Sequence, residues 1–320
     1  MKQIINISIT GSMFAALLGI TACAPSQQAY DGRTNMALQN SDEGSTSGII
    51  GGQPVDANDD VSQMTGQLYM VNPVKQKDAN TGKETVVGVN IGGCTVSIIS
   101  RNLVLTARHC LGSGRMFVHF AKDVVPENQK EAFFKGLATN PLVRHVVGGD
   151  APELKGVRQA ENRNMGDILI LKLNAPIPAG FKVVSLLPTS FNLSAVKAVT
   201  LAGWGWTDGI KKTDTTTLRK VEVTLKDANY AETEILVGST GKGACHGDSG
   251  GPAYVNVNGK NYLAGVTSRA DDTDSKGECI SSTIYTKTQF FNSWIVDAAK
   301  NLNTPKPVEQ TTSPATVAMK

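Results

Sequence analysis

Aromatic side chains are scarce in this 320-residue chain, at 6% of positions, and no stretch interleaves them with basic residues. Neither sign of charge is in excess: 31 Lys and Arg face 28 Asp and Glu, a net +3. Together these absences argue against the basic, aromatic-studded surface that binds nucleic acid. No C-x-x-C pair occurs among the five cysteines, which argues against a zinc site. Helical periodicity is rare and no internal repeat stands out. The apolar run near the N-terminus is too short and broken for a spanning helix.

What remains is an ordinary globular balance, 40% apolar and 18% charged with 32 Gly and 13 Pro. That suffices for one large or two small cores. Lys2 precedes an apolar run that culminates in "MFAALLGI" and then "TAC", the pattern of an export signal. Ile20-Thr21-Ala22-Cys23 resembles the bacterial lipobox, in which the cysteine becomes the lipidated first residue of the mature protein. A plain signal peptide with a chance cysteine, or a non-cleaved anchor, is the alternative. Lipidation of Cys23 would leave Cys94, Cys110, Cys245 and Cys279, which can pair in three ways in an oxidising compartment.

The expected organisation is a lipoprotein-type signal peptide over 1–22, a propeptide or tether over 23–48, one domain over 49–298 and a disordered tail over 303–320. The tether and tail are small, polar and aperiodic. Between them lie short runs rich in Val, Ile, Leu and Thr, such as "NLVLTA", "RMFVHF", "DILILKL" and "LRKVEVTLK", separated by Gly, Asn, Asp and Ser. "YVNVNGKNYLAGV" reads as a hairpin turning at Asn258-Gly259. Helical pattern is confined to one short segment over 126–138 and a C-terminal one over 288–302. About a dozen short strands with one terminal helix indicate an all-β barrel or sandwich.

Three segments carry chemistry. "LVLTARHCL" places His109 beside Cys110 after a strand, "NMGDILILKL" places Asp167 before one, and "CHGDSGGPA" holds Ser249. With "GWG" at 203–205, "GVTS" at 265–268 and "IIGG" at 49–52, they resemble the trypsin-like (chymotrypsin-family) serine proteases over about residues 49–298. Residues 121–165 match poorly, so an insertion is expected there. The resemblance implies two six-stranded antiparallel β-barrels, over roughly 49–170 and 180–285, with a C-terminal helix. It also implies disulfides Cys94–Cys110 and Cys245–Cys279.

By the same resemblance, Ser249 attacks the scissile carbonyl, His109 shuttles its proton and Asp167 orients the imidazole. Backbone N–H groups of Gly247 and Ser249 form the oxyanion hole. Asp248 pairs with the α-amine that cleavage releases on Ile49, although Gly48, not Lys or Arg, precedes the cut. Gly243 lies at the base of the substrate pocket, with Ser268, Ala270 and Thr283 in its walls. A small or medium apolar residue before the scissile bond is the expected preference, since Gly243 offers no carboxylate. Arg269 stands where an aromatic residue is usual.

Blander expectations complete the reading. His119 and His145 are packing or surface residues, His246 lines the cleft, Trp204 and Trp294 are core, and "DDTD" at 271–274 is a solvated loop. The expected partners are protein or peptide substrates and, before processing, a membrane reached through the lipidated N-terminus. A monomer without nucleic acid, cofactor or metal is expected. So is location in the bacterial cell envelope, with release after activation. A catalytically silent binding module and an esterase-type hydrolase stand as alternatives.

Overall fold

The computed structural model describes residues 3–5 and 49–304, apart from 80, 275 and 281. Cys23, the tether over 23–48, most of the expected signal segment and the tail beyond 304 lie outside the described residues.

The strands Thr65–Lys77, Glu84–Ile98, Leu103–Thr106, Arg115–His119, Val143–Asp150 and Leu169–Leu173 form one antiparallel sheet. It closes on itself where Ser97 and Ile98 pair with Leu105 and Val104. Gln3–Ile5 adds a short edge strand on Val89–Ile91. A second barrel comprises Ala198–Gly203, Arg219–Tyr230, Glu234–Val237, Pro252–Val257, Lys260–Ala270 and Thr283–Lys287. It closes where Ala198–Gly203 pairs with Arg219–Thr224. The molecule thus consists of two closed six-stranded antiparallel β-barrels with a C-terminal helix, Asn292–Asn303.

Local pattern explains these strands. Along Arg219–Tyr230 the buried positions Arg219, Val221, Val223 and Leu225 alternate with more exposed Lys220, Glu222, Thr224 and Lys226, the period-2 signature of a sheet with one face on a core. Leu103–Thr106 is buried at every position and Leu169–Leu173 at all but Lys172. Their inner face lines the first barrel, while the C-terminal helix packs over the outer side through Phe291, Ile295 and Ala298. The helix begins four residues later than its periodicity suggested, after a turn over 288–291.

The structure attaches 49–54 to the second barrel, not the first: Gln53 and Pro54 pair with Lys220 and Arg219, and Ile49 is buried in the second core. The expected insertion contains a helix, Glu127–Lys135, with no buried residue. Phe133 and Phe134 settle it against Tyr69 and Phe117. Trp204 and Trp294 are half-buried at the core's margin, each with its indole N–H donated outward, to the Lys122 carbonyl and to Asp150. Among the described residues no helix is long and apolar enough to cross a membrane.

Candidate active site

Strand pairing in the first barrel brings two of the three chemical side chains together. Thr106 pairs directly with Leu169 in antiparallel register, so the residues after Thr106 and before Leu169 leave the sheet in the same direction. His109 follows in a 3-10 turn, Arg108–Cys110, which the Cys94–Cys110 disulfide ties to the neighbouring strand. Asp167 precedes the other strand. Its Oδ1 accepts from the His109 backbone N–H at 2.9 Å, and its Oδ2 lies 2.7 Å from His109 Nδ1. The carboxylate therefore fixes both the turn and the ring, and among the described residues Nε2 has no hydrogen-bond partner.

The second barrel finishes this environment. Ser268 donates its hydroxyl to Asp167 Oδ2 at 2.7 Å, and Thr286 donates to the Asp167 carbonyl at 2.9 Å. Burial alone would push the Asp167 carboxyl up. Hydrogen bonds from His109 and Ser268, with the attraction of a charged imidazole, outweigh that and hold it below the ordinary carboxylate value. The Asp167 side chain is 11% exposed and the imidazole 45%, so the ring faces the cleft while the acid is enclosed.

Ser249 sits on a loop laid against the same strand ends. Thr95 N–H donates to the Ser249 carbonyl at 2.8 Å, and Gly250 N–H to the Thr267 carbonyl at 2.9 Å. Gly250 has φ +78°, and a Cβ there would lie 2.0 Å from Thr106 Oγ1 and 2.9 Å from the Ala107 nitrogen. Only glycine permits that approach, which carries the serine loop to the strand end that leads into His109. Among the described residues the N–H groups of Gly247 and Ser249 have no intramolecular acceptor. Cys245–Cys279 fastens the start of the loop.

Asp248 points the other way, into the protein. It is fully buried; Oδ1 accepts from Gly205 N–H at 2.7 Å and Oδ2 from Cys245 N–H at 2.8 Å. Among the described residues no cationic side chain pairs with it, and burial raises the carboxyl to about 7 despite the two donors. Ile49 is also fully buried and packs in the core that includes Ala244. Its neighbour Ile50 accepts from Gly243 N–H at 3.1 Å.

The expected pocket residues converge. Ala270 and Thr283 are cross-strand partners, and a Cβ on Gly243 would meet Thr283 Oγ1 alone, at 3.8 Å. Ser268 is buried, with its hydroxyl committed to Asp167. The "DDTD" stretch lies in a loop with Asp272 and Thr273 exposed. Asp271 accepts from Thr273 and the Ser282 N–H, Asp274 from the Glu278 and Cys279 N–H groups, and Asp272 from Asn162. His246 is exposed, its ring tilted against Trp206 with centroids 4.6 Å apart, and its Nε2 lies 3.0 Å from the Gly277 carbonyl. His119 is buried against Phe133, and burial lowers it to about 4. Cys94 and Cys110 also approach His109, but their sulfurs are bonded to each other, so the trio is not a ligand set.

Sequence reasoning missed Glu234 and Asn162. Both bond to Arg269, which turns inward and not toward the cleft. An acid opening a four-residue apolar strand was the available signal for Glu234.

Comparison with known proteins decides the family. The trypsin family model matches residues 73–295. The chain belongs to the trypsin family. Trypsin-1 of Astacus astacus is 28% identical over 233 residues, covering 67% of this chain and 90% of that protein. Human kallikrein-11 is 26% identical over 223 residues, 65% of this chain and 72% of the relative. Brachyurin of Leptuca pugilator is 29% identical over 188 residues, 55% and 74%. A solved structure described as "Structure of GrC" superposes with a TM-score of 0.57 at 21% identity, over 79% of this chain and all of the other, a likeness of fold. This trypsin-family chain is a serine endopeptidase, and its substrates are proteins or peptides. With two disulfides, it is an exported protein.

Proposed function

We propose that Ser249, His109 and Asp167 act as the catalytic triad of a secreted endopeptidase made as a zymogen. The observation that carries this is the double grip of Asp167 on His109, through backbone N–H and Nδ1, beside the Gly250 contact with the His109 strand. His109 Nε2 takes the Ser249 proton as Oγ attacks the peptide carbonyl. It returns that proton to the departing amine, and water repeats the cycle on the acyl-enzyme. Asp167 stays ionised and stabilises the imidazolium. The N–H groups of Gly247 and Ser249, having no acceptor among the described residues, receive the oxyanion; such a donor is typically worth about 2.7–4 kcal/mol in the transition state.

Cleavage before Ile49 releases an amine that pairs with Asp248. Two features support this: a fully buried carboxylate with no cation beside it among the described residues, and a fully buried isoleucine beside the 243–248 segment. A buried charge lacking a partner is costly, so the pairing can set the oxyanion loop. The pocket bounded by Gly243, Ala270 and Thr283 favours small or medium apolar residues, because a cationic side chain would lose its hydration with no carboxylate from Gly243 to meet it. Before cleavage, lipid on Cys23 anchors the precursor in the bacterial envelope. The four domain cysteines pair with one another, which leaves none to bond Cys23, so activation frees the enzyme.

Peptide hydrolysis by the chain beginning at Ile49 tests the triad. Asp167→Asn should lower kcat about 10⁴-fold with the fold intact, and Ser249→Ala should lose activity as fully. Retained peptidase activity in Ser249→Ala would refute the assignment.

A further inference from the structure

Arg269 occupies a position beside the catalytic acid, and its guanidinium is fully engaged. A guanidinium has five N–H donors, and here each has an acceptor. Nε donates to Asn162 Oδ1 at 2.8 Å and NH2 to the Asn162 carbonyl at 2.5 Å. NH1 and NH2 bind Glu234 Oε1 and Oε2 at 2.9 and 3.0 Å, a two-point pair. The remaining NH1 donor reaches Ser268 Oγ at 3.2 Å. That hydroxyl in turn donates to Asp167 Oδ2.

Glu234 has 1% of its side chain exposed and Arg269 18%, so the pair is largely withdrawn from water. It also holds the chain that leads into Asp167. Asn162 and Asn164 are left-handed (φ 51° and 54°), and Gly166 follows at 55°. Asn162 is bound by Arg269, Asn164 by the Thr233 hydroxyl at 2.8 Å, and Met165 N–H donates to Glu234 Oε1 at 3.3 Å. A first-barrel segment ending at the catalytic acid is thus strapped to a second-barrel strand.

We propose that the Arg269–Glu234 pair is a positioning device for the triad acid. It fixes the 162–167 segment from the second barrel. Through Ser268 it also presents a balanced charge pair to the Asp167–His109 couple. Arg269 accepts nothing and so orients the Ser268 hydroxyl: the Ser268 oxygen accepts a hydrogen bond from the guanidinium and donates its own hydrogen to Asp167. The proposal rests on Asp167 and His109 being the acid and base of the reaction. The ionisable groups linked to Asp167 by hydrogen bonds, directly or through Ser268, are His109, Arg269 and Glu234. The elements packed around it also carry Arg108, which is exposed, Arg163 over the Tyr230 ring, Lys172 donating to the Leu302 carbonyl, and Lys260 over the Tyr262 ring, while Asp272 accepts from Asn162. Lys287, one residue beyond Thr286, has its amine on Asn229.

The test is the pH profile of kcat/KM on a single-residue ester, a probe too short to reach distant subsites. The variants are Arg269→Gln, Glu234→Gln and the double. Arg269→Gln removes the cation that disfavours the imidazolium, so the acid limb should move to higher pH. Glu234→Gln leaves the guanidinium uncompensated, and the limb should move to lower pH. The double variant should return close to the parent. In Arg269→Gln, kcat should fall about tenfold with KM within about twofold, as expected of a group acting in the transition state and not on substrate. Arg269→Lys keeps the charge balance but gives up the planar fork; it should hold the limb in place while lowering kcat, and it carries the test if the other variants fail to fold. Limb positions that do not move, or that move the same way in both single variants, would overturn the proposal, as would an Arg269→Lys protein with unchanged kcat. Failure of the triad assignment is separately visible, as Ser249→Ala retaining activity.

Discussion

In the uncut chain, Asp248→Asn should abolish a stability loss that otherwise develops between about pH 4 and pH 7. The Asp248 carboxyl is raised by burial from 3.8 to about 7. Between those values the folded state holds a proton that the unfolded state has released, so stability must fall as pH rises, by about 1.36 kcal/mol per unit. From 3.8 to about 7 is roughly three units, or about 4 kcal/mol. Below 3.8 both states are protonated and above 7 both are ionised, so the slope from this group vanishes at each end. An ammonium on Ile49 would favour the charged carboxylate, lower its pKa and flatten the slope. Urea unfolding in a Ser249→Ala background, which prevents self-digestion, measures this on the uncut chain and on one begun at Ile49, each with and without Asp248→Asn. Asparagine keeps an acceptor for one backbone donor and turns an amide toward the other, a constant offset. The pH slope of the difference is therefore the diagnostic quantity. Parallel curves for the uncut proteins from pH 4 to 7 would refute the reasoning, as would an equally steep difference after cleavage.

Gly250→Ala should fold with a lowered Tm and lose at least tenfold in kcat. The left-handed backbone alone costs a side chain about 1–2 kcal/mol, and the new Cβ would meet the Thr95 carbonyl at 2.5 Å; thermal melting and peptide kinetics check both. Gly243→Asp should raise cleavage after Lys or Arg at the expense of apolar residues, because a Cβ fits there and supplies the missing carboxylate. A substrate panel varied only before the scissile bond reads it out, and unchanged ranking would remove Gly243 from the pocket floor.

The candidate site was legible because its residues lie in short contiguous motifs. "TARHC" and "GDSGGP" each combine a reactive side chain with the cysteine or glycines that shape its loop. Strand identity was less readable. Thr65–Lys77 contains Gly66, Asn72 and Pro73, which read as breakers. Pro73 is tolerated because pairing with Arg115–His119 involves only Gln67–Val71. Glu234–Val237 is four residues long and its acid is buried, so neither length nor alternation marks it. The Arg269–Glu234–Asn162 cluster joins positions far apart in sequence. No local pattern encodes such a contact; only the closing of the second barrel beside the segment before Asp167 creates it.

Reaction with a fluorophosphonate tests the central claim most directly, since it needs Ser249 activated as a nucleophile and not merely present. Mass spectrometry of the chain beginning at Ile49 should find one stoichiometric adduct, on the peptide containing Ser249. The adduct should be lost in His109→Ala and strongly slowed in Asp248→Asn. A cleaved, peptidase-active protein that remains unlabelled at Ser249, or one labelled equally well without His109, would contradict the account.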